Sequence, residues 1–348
     1  MSPNRALVFK EIPSGLPVPG KHLAVEEIPG DETTACPEGG LVLKSLYSSL
    51  DPYQRGRMRP PHVQSYYPAL PVGETFTSRA IAQVVSSDNP QFRPGDTVIG
   101  MLSIQEVVIL EAKSLPFVRL LDNPMSIEDI RAFLGPLGVP GLTAYGGLYE
   151  IGKPERGQTI FVSAASGAVG QMVGQIAKLE GLRVVGSVGS DEKLKFILDE
   201  LGFDAGFNYK TESSLADALA RVAPEGLDIF FDNVGGDHLD AALAHMKDHG
   251  RVVLCGTISD YNKAPEDRYP VRNTTYIFSK RLTVRGFLVS DKEIMEKYSA
   301  EHQRRVQGWL KDGTLRTKIW EVQGVENAPE AFLALFTGKN FGKVVLKY

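Results

Sequence analysis

The chain has 348 residues, 43% of them apolar and 23% charged, which leaves room for two domains with substantial cores. Its 38 basic and 42 acidic residues give a net charge of −4 with no basic stripe, which speaks against nucleic acid or an anionic membrane as partner. Cys36 and Cys255 are too few for a disulfide framework or a cysteine-held zinc, and no stretch approaches the roughly 18 apolar residues of a membrane span.

At the N-terminus charge comes too early for a signal peptide, so a soluble cytoplasmic protein is expected. The chain to about residue 125 is rich in Pro, Gly and short β-like runs at 41–46, 79–85 and 97–100, punctuated by turns such as Pro94-Gly95-Asp96. This predicts a β-rich domain. From Ser126 the periodicity changes. Ser126 is placed to cap a helix through Leu134, with Glu128 and Asp129 in its first turn. A glycine-rich segment over 135–147 then leads to an apolar strand at 159–162. Helices at 169–180, 191–201, 214–222 and 239–246 alternate with strands at 183–188, 205–209, 227–232 and 251–256, followed by an apolar strand at 282–289. Such alternation implies a parallel sheet covered by helices. The tail returns to β-like text at 318–322 and 344–346 and is expected to rejoin the first domain. The expected division is 1–125 plus 315–348 for the β-rich domain and 126–314 for the α/β domain.

Between the first strand and first helix of the α/β part stands the pattern A-x-G-x-x-G, made by Ala165, Gly167 and Gly170. Gly167 lets backbone amides approach a pyrophosphate, Gly170 lets the helix pack closely on the sheet, and Ala168 and Val169 lie between them at the helix N-terminus. An NAD-preferring fold places an acid at the end of the second strand; here that strand runs into Gly189 and Ser190. Asp191 comes next and fits helix capping. Lys193 follows and can contact a 2′-phosphate, its alternative being a solvated helix lysine. Tyr209, at the end of the third strand, can close over the same phosphate or simply pack at the edge. NADP(H) is therefore the expected cofactor.

The whole chain resembles the zinc-free medium-chain dehydrogenase/reductases, most closely the prostaglandin reductase and alkenal double-bond reductase group. The resemblance is carried by Leu50-Asp51-Pro52-Tyr53, the segment 138–145, the Gly167-to-Gly170 turn, 189–193, 207–210, 231–236, 255–262 and 338–343. It implies a Rossmann-type doubly wound parallel sheet inserted in a β-rich (GroES-like) catalytic domain, with NADPH in the cleft between them. It also places Asn233 on the ribose side, and Cys255, Gly256, Thr257, Ile258, Ser259 and Tyr261 around the nicotinamide half. Phe287, Leu288 and Val289 would lie beside them, Asn340 would reach the cofactor from the tail, and Tyr53 would stand on the substrate side. Asn233 and Asn340 also read as turn residues, and Cys255 as a small buried apolar residue. Thr143 is either a hydrogen-bonding group near the nicotinamide or a helix-start hydroxyl.

Zinc alcohol dehydrogenases hold a metal through a Gly-His-Glu signature, where this chain has Gly73-Glu74, and none of its six histidines shows ligand spacing. No metal site is expected. Without a Lewis acid, an activated alkene is the more suitable acceptor: hydride delivered to the β-carbon of an enone or enal gives an enolate that a few hydrogen bonds stabilise. Tyr261 is the candidate catalytic donor, or else a ring packed against the cofactor. The expectation is an NADPH-dependent reductase of small α,β-unsaturated aldehydes or ketones, with quinone reduction, a pathway-specific enoyl reduction or non-catalytic NADPH binding as competing readings. The last apolar strand, as a sheet edge, and the family's habit point to a homodimer.

Overall fold

The computed structural model describes residues 3–348, which divide into two units. The first comprises residues 3–126 with Ile319–Asn340 and Val344–Tyr348; the second comprises Ile127–Lys318 with Phe341–Lys343.

The first unit begins with an antiparallel pair, β1 (Asn4–Phe9) and β2 (Leu23–Ile28). After β3 (Leu41–Ser49) comes the short helix α1 (Tyr53–Arg57), then β4 (Thr77–Ser87), β5 (Thr97–Ser103), β6 (Val107–Leu110) and β7 (Val118–Leu120). β4 shows why these segments are strands. Ser78, Ala80, Ala82 and Val84 are buried at every second position, and the last three join Leu41, Leu43, Val98, Leu102 and Val108 in one core. The helix expected from Ser126 is absent: Ser126 has a left-handed φ of 54°, and only a single 3₁₀ segment, Ile130–Leu134, follows. Its cap is Asp129, which accepts from the Arg131 amide at 3.1 Å.

The second unit opens with α2 (Val139–Gly147), which passes into a π-helical turn, Leu148–Gly152. It continues through β8 (Thr159–Val162), α3 (Gly170–Leu179), β9 (Arg183–Val188), α4 (Asp191–Asp199), β10 (Ala205–Asn208) and α5 (Leu215–Val222). Then come β11 (Leu227–Asp232), α6 (Gly236–His245), β12 (Met246–Leu254), α7 (Thr275–Ser279), β13 (Thr283–Gly286) and α8 (Lys292–Lys311). The six strands form a parallel sheet in the order β10-β9-β8-β11-β12-β13, the doubly wound Rossmann order. In such a sheet ligands bind at the carboxyl ends of the strands where the order reverses, here at β8 and β11. The chain returns through β14 (Ile319–Gln323), α9 (Ala328–Thr337) and β15 (Lys343–Lys347), with β15 antiparallel to β3.

Helix α8 is pinned by an aromatic box. The Arg305 guanidinium lies 4.6 Å from the Trp309 ring centre, 5.5 Å from Tyr149 and 5.7 Å from Tyr145, and donates to the Tyr145 hydroxyl at 2.9 Å. Removing it strips a cation from three rings and uncovers their faces. Arg305→Ala is expected to cost about 2 kcal/mol, read as an earlier urea-unfolding midpoint; an unshifted midpoint would refute the box as a stabilising element.

Candidate cofactor and substrate site

The turn after β8 is built by one close approach and one exchange of volume. A Cβ on Gly170 would stand 2.4 Å from the Ala164 carbonyl oxygen and 2.8 Å from the Ala165 Cα, so only glycine lets α3 start where it does. Gly167 is less constrained: its Cβ would stand 3.1 Å from the same oxygen, to which its own amide donates at 2.9 Å. Ala165 departs from the usual glycine, and β9 absorbs the difference. A Cβ on Gly186 would lie 2.7 Å from the Ala165 Cβ, so the methyl group of one occupies the space the other leaves. Ala168 and Val169 lead into α3, whose N-terminus carries the partial positive charge that suits a phosphate.

The ends of β9 and β10 gather cations. A Cβ on Gly189 would lie 3.1 Å from the Tyr209 hydroxyl and 3.4 Å from the Lys210 Cε. The Lys193 ammonium is pushed down first by burial and then by the nearby Lys210. Two lysines and a tyrosine hydroxyl at a strand end form a cradle suited to a phosphate dianion. Asp191 is not the cap expected of it: Ser190 caps α4 by accepting from the Lys193 amide at 3.3 Å, while Asp191 accepts from Asn208 Nδ2 at 2.9 Å. Lys210 carried no distinguishing signal in the sequence beyond its place next to Tyr209.

At the end of β11 the fully buried Asp232 organises both neighbouring loops. Its Oδ1 accepts from Ser163 Oγ (3.1 Å) and from the amides of Val234 and Gly235 (both 2.9 Å). Its carbonyl oxygen accepts from the amides of Cys255 and Gly256 at 2.9 and 3.1 Å. Asn233 completes the lacing, donating its amide to Ser163 Oγ and its Nδ2 to the Ser163 carbonyl, both at 2.8 Å. Sequence reading passed over Asp232 because a single acid ending an apolar strand has no motif. Burial pushes its carboxyl up, opposed by the hydrogen bonds to Oδ1. A raised folded-state pKa favours folding below the unfolded carboxylate value and loses that contribution as pH rises through the folded value. Asp232→Asn removes this falling contribution, so the variant's melting temperature is expected to gain on the parent's as pH rises from the ordinary carboxylate range, and a difference that stays constant with pH would refute this.

The segment after β12 folds back on this hub. Ile258 and Ser259 donate their amides to the Asn233 and Val234 carbonyls at 3.4 and 3.1 Å, and a Cβ on Gly235 would reach Thr257 within 2.9 Å. Tyr261 returns its hydroxyl to within 3.3 Å of where a Gly256 Cβ would stand, over the carboxyl end of the sheet. Burial pushes the Cys255 thiol up to about 12, so it stays protonated and unreactive near neutral pH. After β13, the Phe287 ring packs over Gly147 within 2.5 Å of where a Cβ would stand, and the Leu288 amide donates to Asp291 Oδ2 at 2.9 Å; Val289 follows, partly buried. Thr143 spends its hydroxyl within α2, donating to the Val139 carbonyl at 2.8 Å. The second unit thus brings together the turn after β8, the Lys193–Tyr209 cradle and the Asn233 and 255–261 segments. Tyr53 and Asn340 belong to the first unit. Tyr53 opens α1, and Asn340 follows the left-handed Gly338 that ends α9.

A family model described as zinc-binding dehydrogenase matches residues 168–303, and one described as the N-terminal domain of oxidoreductase matches residues 5–118. The chain is 49% identical over 347 residues to the NADP-dependent oxidoreductase RED1 of Cochliobolus heterostrophus, covering 100% of this chain and 98% of the relative. It is 43% identical to a 2-alkenal reductase (NADP(+)-dependent) of Nicotiana tabacum, covering 89% of this chain and 88% of that protein. The crystal structure of CurA in complex with NADPH from Vibrio vulnificus superposes with a TM-score of 0.89 at 35% identity, covering 99% of this chain and 98% of CurA. A zinc ion does not fit: among the described residues no three His, Cys, Asp or Glu side chains gather to hold a metal.

Proposed function

Because the chain belongs to the medium-chain dehydrogenase/reductases and is an NADP-dependent oxidoreductase, we propose that it reduces the carbon–carbon double bond of α,β-unsaturated aldehydes and ketones in the cytoplasm. The observation that carries this reading is the Tyr261 hydroxyl, held over Gly256 at the carboxyl end of β12, with no metal ligand set among the described residues. The 2-alkenal reductase relative supports it. When bound, NADPH supplies the hydride. Gly167, Ala168, Val169 and Gly170 seat the pyrophosphate, and Lys193, Tyr209 and Lys210 hold the 2′-phosphate. Asn233 fixes the ribose side, while the backbone of Cys255, Gly256, Thr257, Ile258 and Ser259 and the segment Phe287, Leu288, Val289 wall the nicotinamide half. Tyr261 donates a hydrogen bond to the enolate oxygen as charge develops there and positions the proton that reaches the α-carbon. Tyr53 forms a substrate wall.

The test follows NADPH consumption, with a chelator present, against enals, enones, quinones and saturated aldehydes. Turnover confined to enals and enones is the expected result; NADPH binding without enone-dependent consumption would sink the proposal. The edge position of β13, with Phe278 of α7 75% exposed nearby, supports a homodimer. Light scattering that gives the mass of one chain would overturn it.

A further inference from the structure

Helix α6 begins on the Asp232 hub, whose Oδ1 holds the Val234 and Gly235 amides, so its first turn has a fixed place at the carboxyl end of β11. His238 lies in that turn and is only 3% exposed. Its Nδ1 stands 3.0 Å from Asp237 Oδ1. Its ring meets the Tyr209 ring edge-on, with 5.2 Å between centres and 80° between planes. The bond from His238 holds the Asp237 carboxyl below the ordinary carboxylate range. An ionised carboxylate only accepts, so the proton of this bond sits on Nδ1. Nε2 is buried and has no hydrogen-bond partner among the described residues. A buried nitrogen left unbonded costs stability that an apolar ring of similar size would not. What the imidazole supplies and a phenylalanine does not is the Nδ1 bond, which fixes the rotation of the ring.

The ring it fixes supports Tyr209. This tyrosine follows the last residue of β10 and donates its amide to the Val188 carbonyl at 3.0 Å, so the sheet sets its backbone and leaves its side chain free to rotate. Its hydroxyl lies 3.1 Å from where a Gly189 Cβ would stand, in the cradle it forms with Lys210. In another rotamer the same ring would carry the hydroxyl away from Gly189. The His238 ring, packed against it and tied to Asp237, opposes that rotation.

We infer that His238 is a positioning residue for nucleotide choice: tied to Asp237, it holds the Tyr209 hydroxyl where a 2′-phosphate is bound, and so adds to the preference for NADPH over NADH. This rests on the reading of Tyr209 as a 2′-phosphate ligand. The test is the ratio of the NADH to the NADPH dissociation constant, read by fluorescence titration. In His238→Leu the ratio is expected to fall roughly threefold to tenfold, part of the worth of a hydrogen bond to a charged group, through weaker NADPH binding alone. Asp237→Asn and Asp237→Ala remove the same charge, but only the second removes the acceptor for Nδ1. The ratio in Asp237→Ala is therefore expected to lie about threefold below that in Asp237→Asn. In a Tyr209→Phe background, His238→Leu should lower the ratio no further. An unchanged ratio in His238→Leu, an equal loss for both nucleotides, the same fall in the Tyr209→Phe background, or equal ratios in the two Asp237 variants overturns the proposal. The Asp237 side chain is more than half exposed, so that pair decides the matter even if His238→Leu does not fold. Tyr209→Phe alone tests the underlying reading. If it keeps the parent's ratio, Tyr209 does not meet the phosphate and the proposal falls with that reading; if it lowers the ratio while His238→Leu does not, only the positioning role is lost.

Discussion

Tyr261→Phe is expected to lower kcat for an enone by roughly a hundredfold, the worth of one well-aimed donor to a developing oxyanion, while NADPH affinity stays within about twofold. The asymmetry follows from what the substitution removes. The ring itself remains, so the apolar surface it offers is kept. Only the hydroxyl is lost, and its bond strengthens as charge moves onto the substrate oxygen, so the loss falls on the transition state. Single-turnover rates at saturating NADPH, together with NADPH fluorescence titration, separate the two quantities. Equal rates for parent and variant would remove Tyr261 from the chemistry; a parallel loss of affinity would make it a cofactor-packing residue.

The second large effect is on cofactor choice. Lys193→Ala is expected to weaken NADPH binding about ten- to a hundredfold, as for loss of a charge-assisted hydrogen bond, with NADH affinity nearly unchanged. Lys210→Ala should act in the same direction and less strongly, because Lys210 reaches the cradle from beyond β10 with its Cε over Gly189. The two cations disfavour one another's charge when no anion is present, so removing one relieves the other and the double variant should lose less than the sum. Titration of each variant with both nucleotides decides it. Unchanged NADPH affinity in Lys193→Ala would discard the phosphate role.

The parallel sheet was legible because five strands and four helices alternated, each with its own period, and the strand limits at 183–188 and 227–232 match β9 and β11 residue for residue. What escaped has identifiable causes. In α8 the buried positions are Ile294, Tyr298, His302, Val306 and Gln307; three of the five carry polar groups, so the stripe does not read as apolar. In α2 the glycines at 141, 146 and 147 read as loop, yet they are there for contact: Cβ atoms on Gly146 and Gly147 would press within 2.7 Å of Ile294 and 2.5 Å of Phe287. β13 stops at Gly286, three residues short of the end of the apolar run, because the Leu288 amide turns to the Asp291 carboxylate just before α8. The phosphate turn could be found because its residues are consecutive. Asp232 could not, since its meaning lies in partners brought from segments distant in the sequence.

The reciprocal packing of Ala165 and Gly186 makes the nucleotide fingerprint a property of two strands. Moving the methyl group from one strand to the other means passing through a state with two glycines or one with two alanines. Two alanines bring their Cβ atoms to 2.7 Å, nearer than such atoms approach in folded chains. Two glycines leave a void of one methyl group, a far smaller penalty. A Cβ at 186 would also meet the Ile197 and Phe203 side chains at 2.9 Å, so alanine there needs both of them to yield as well as glycine at 165.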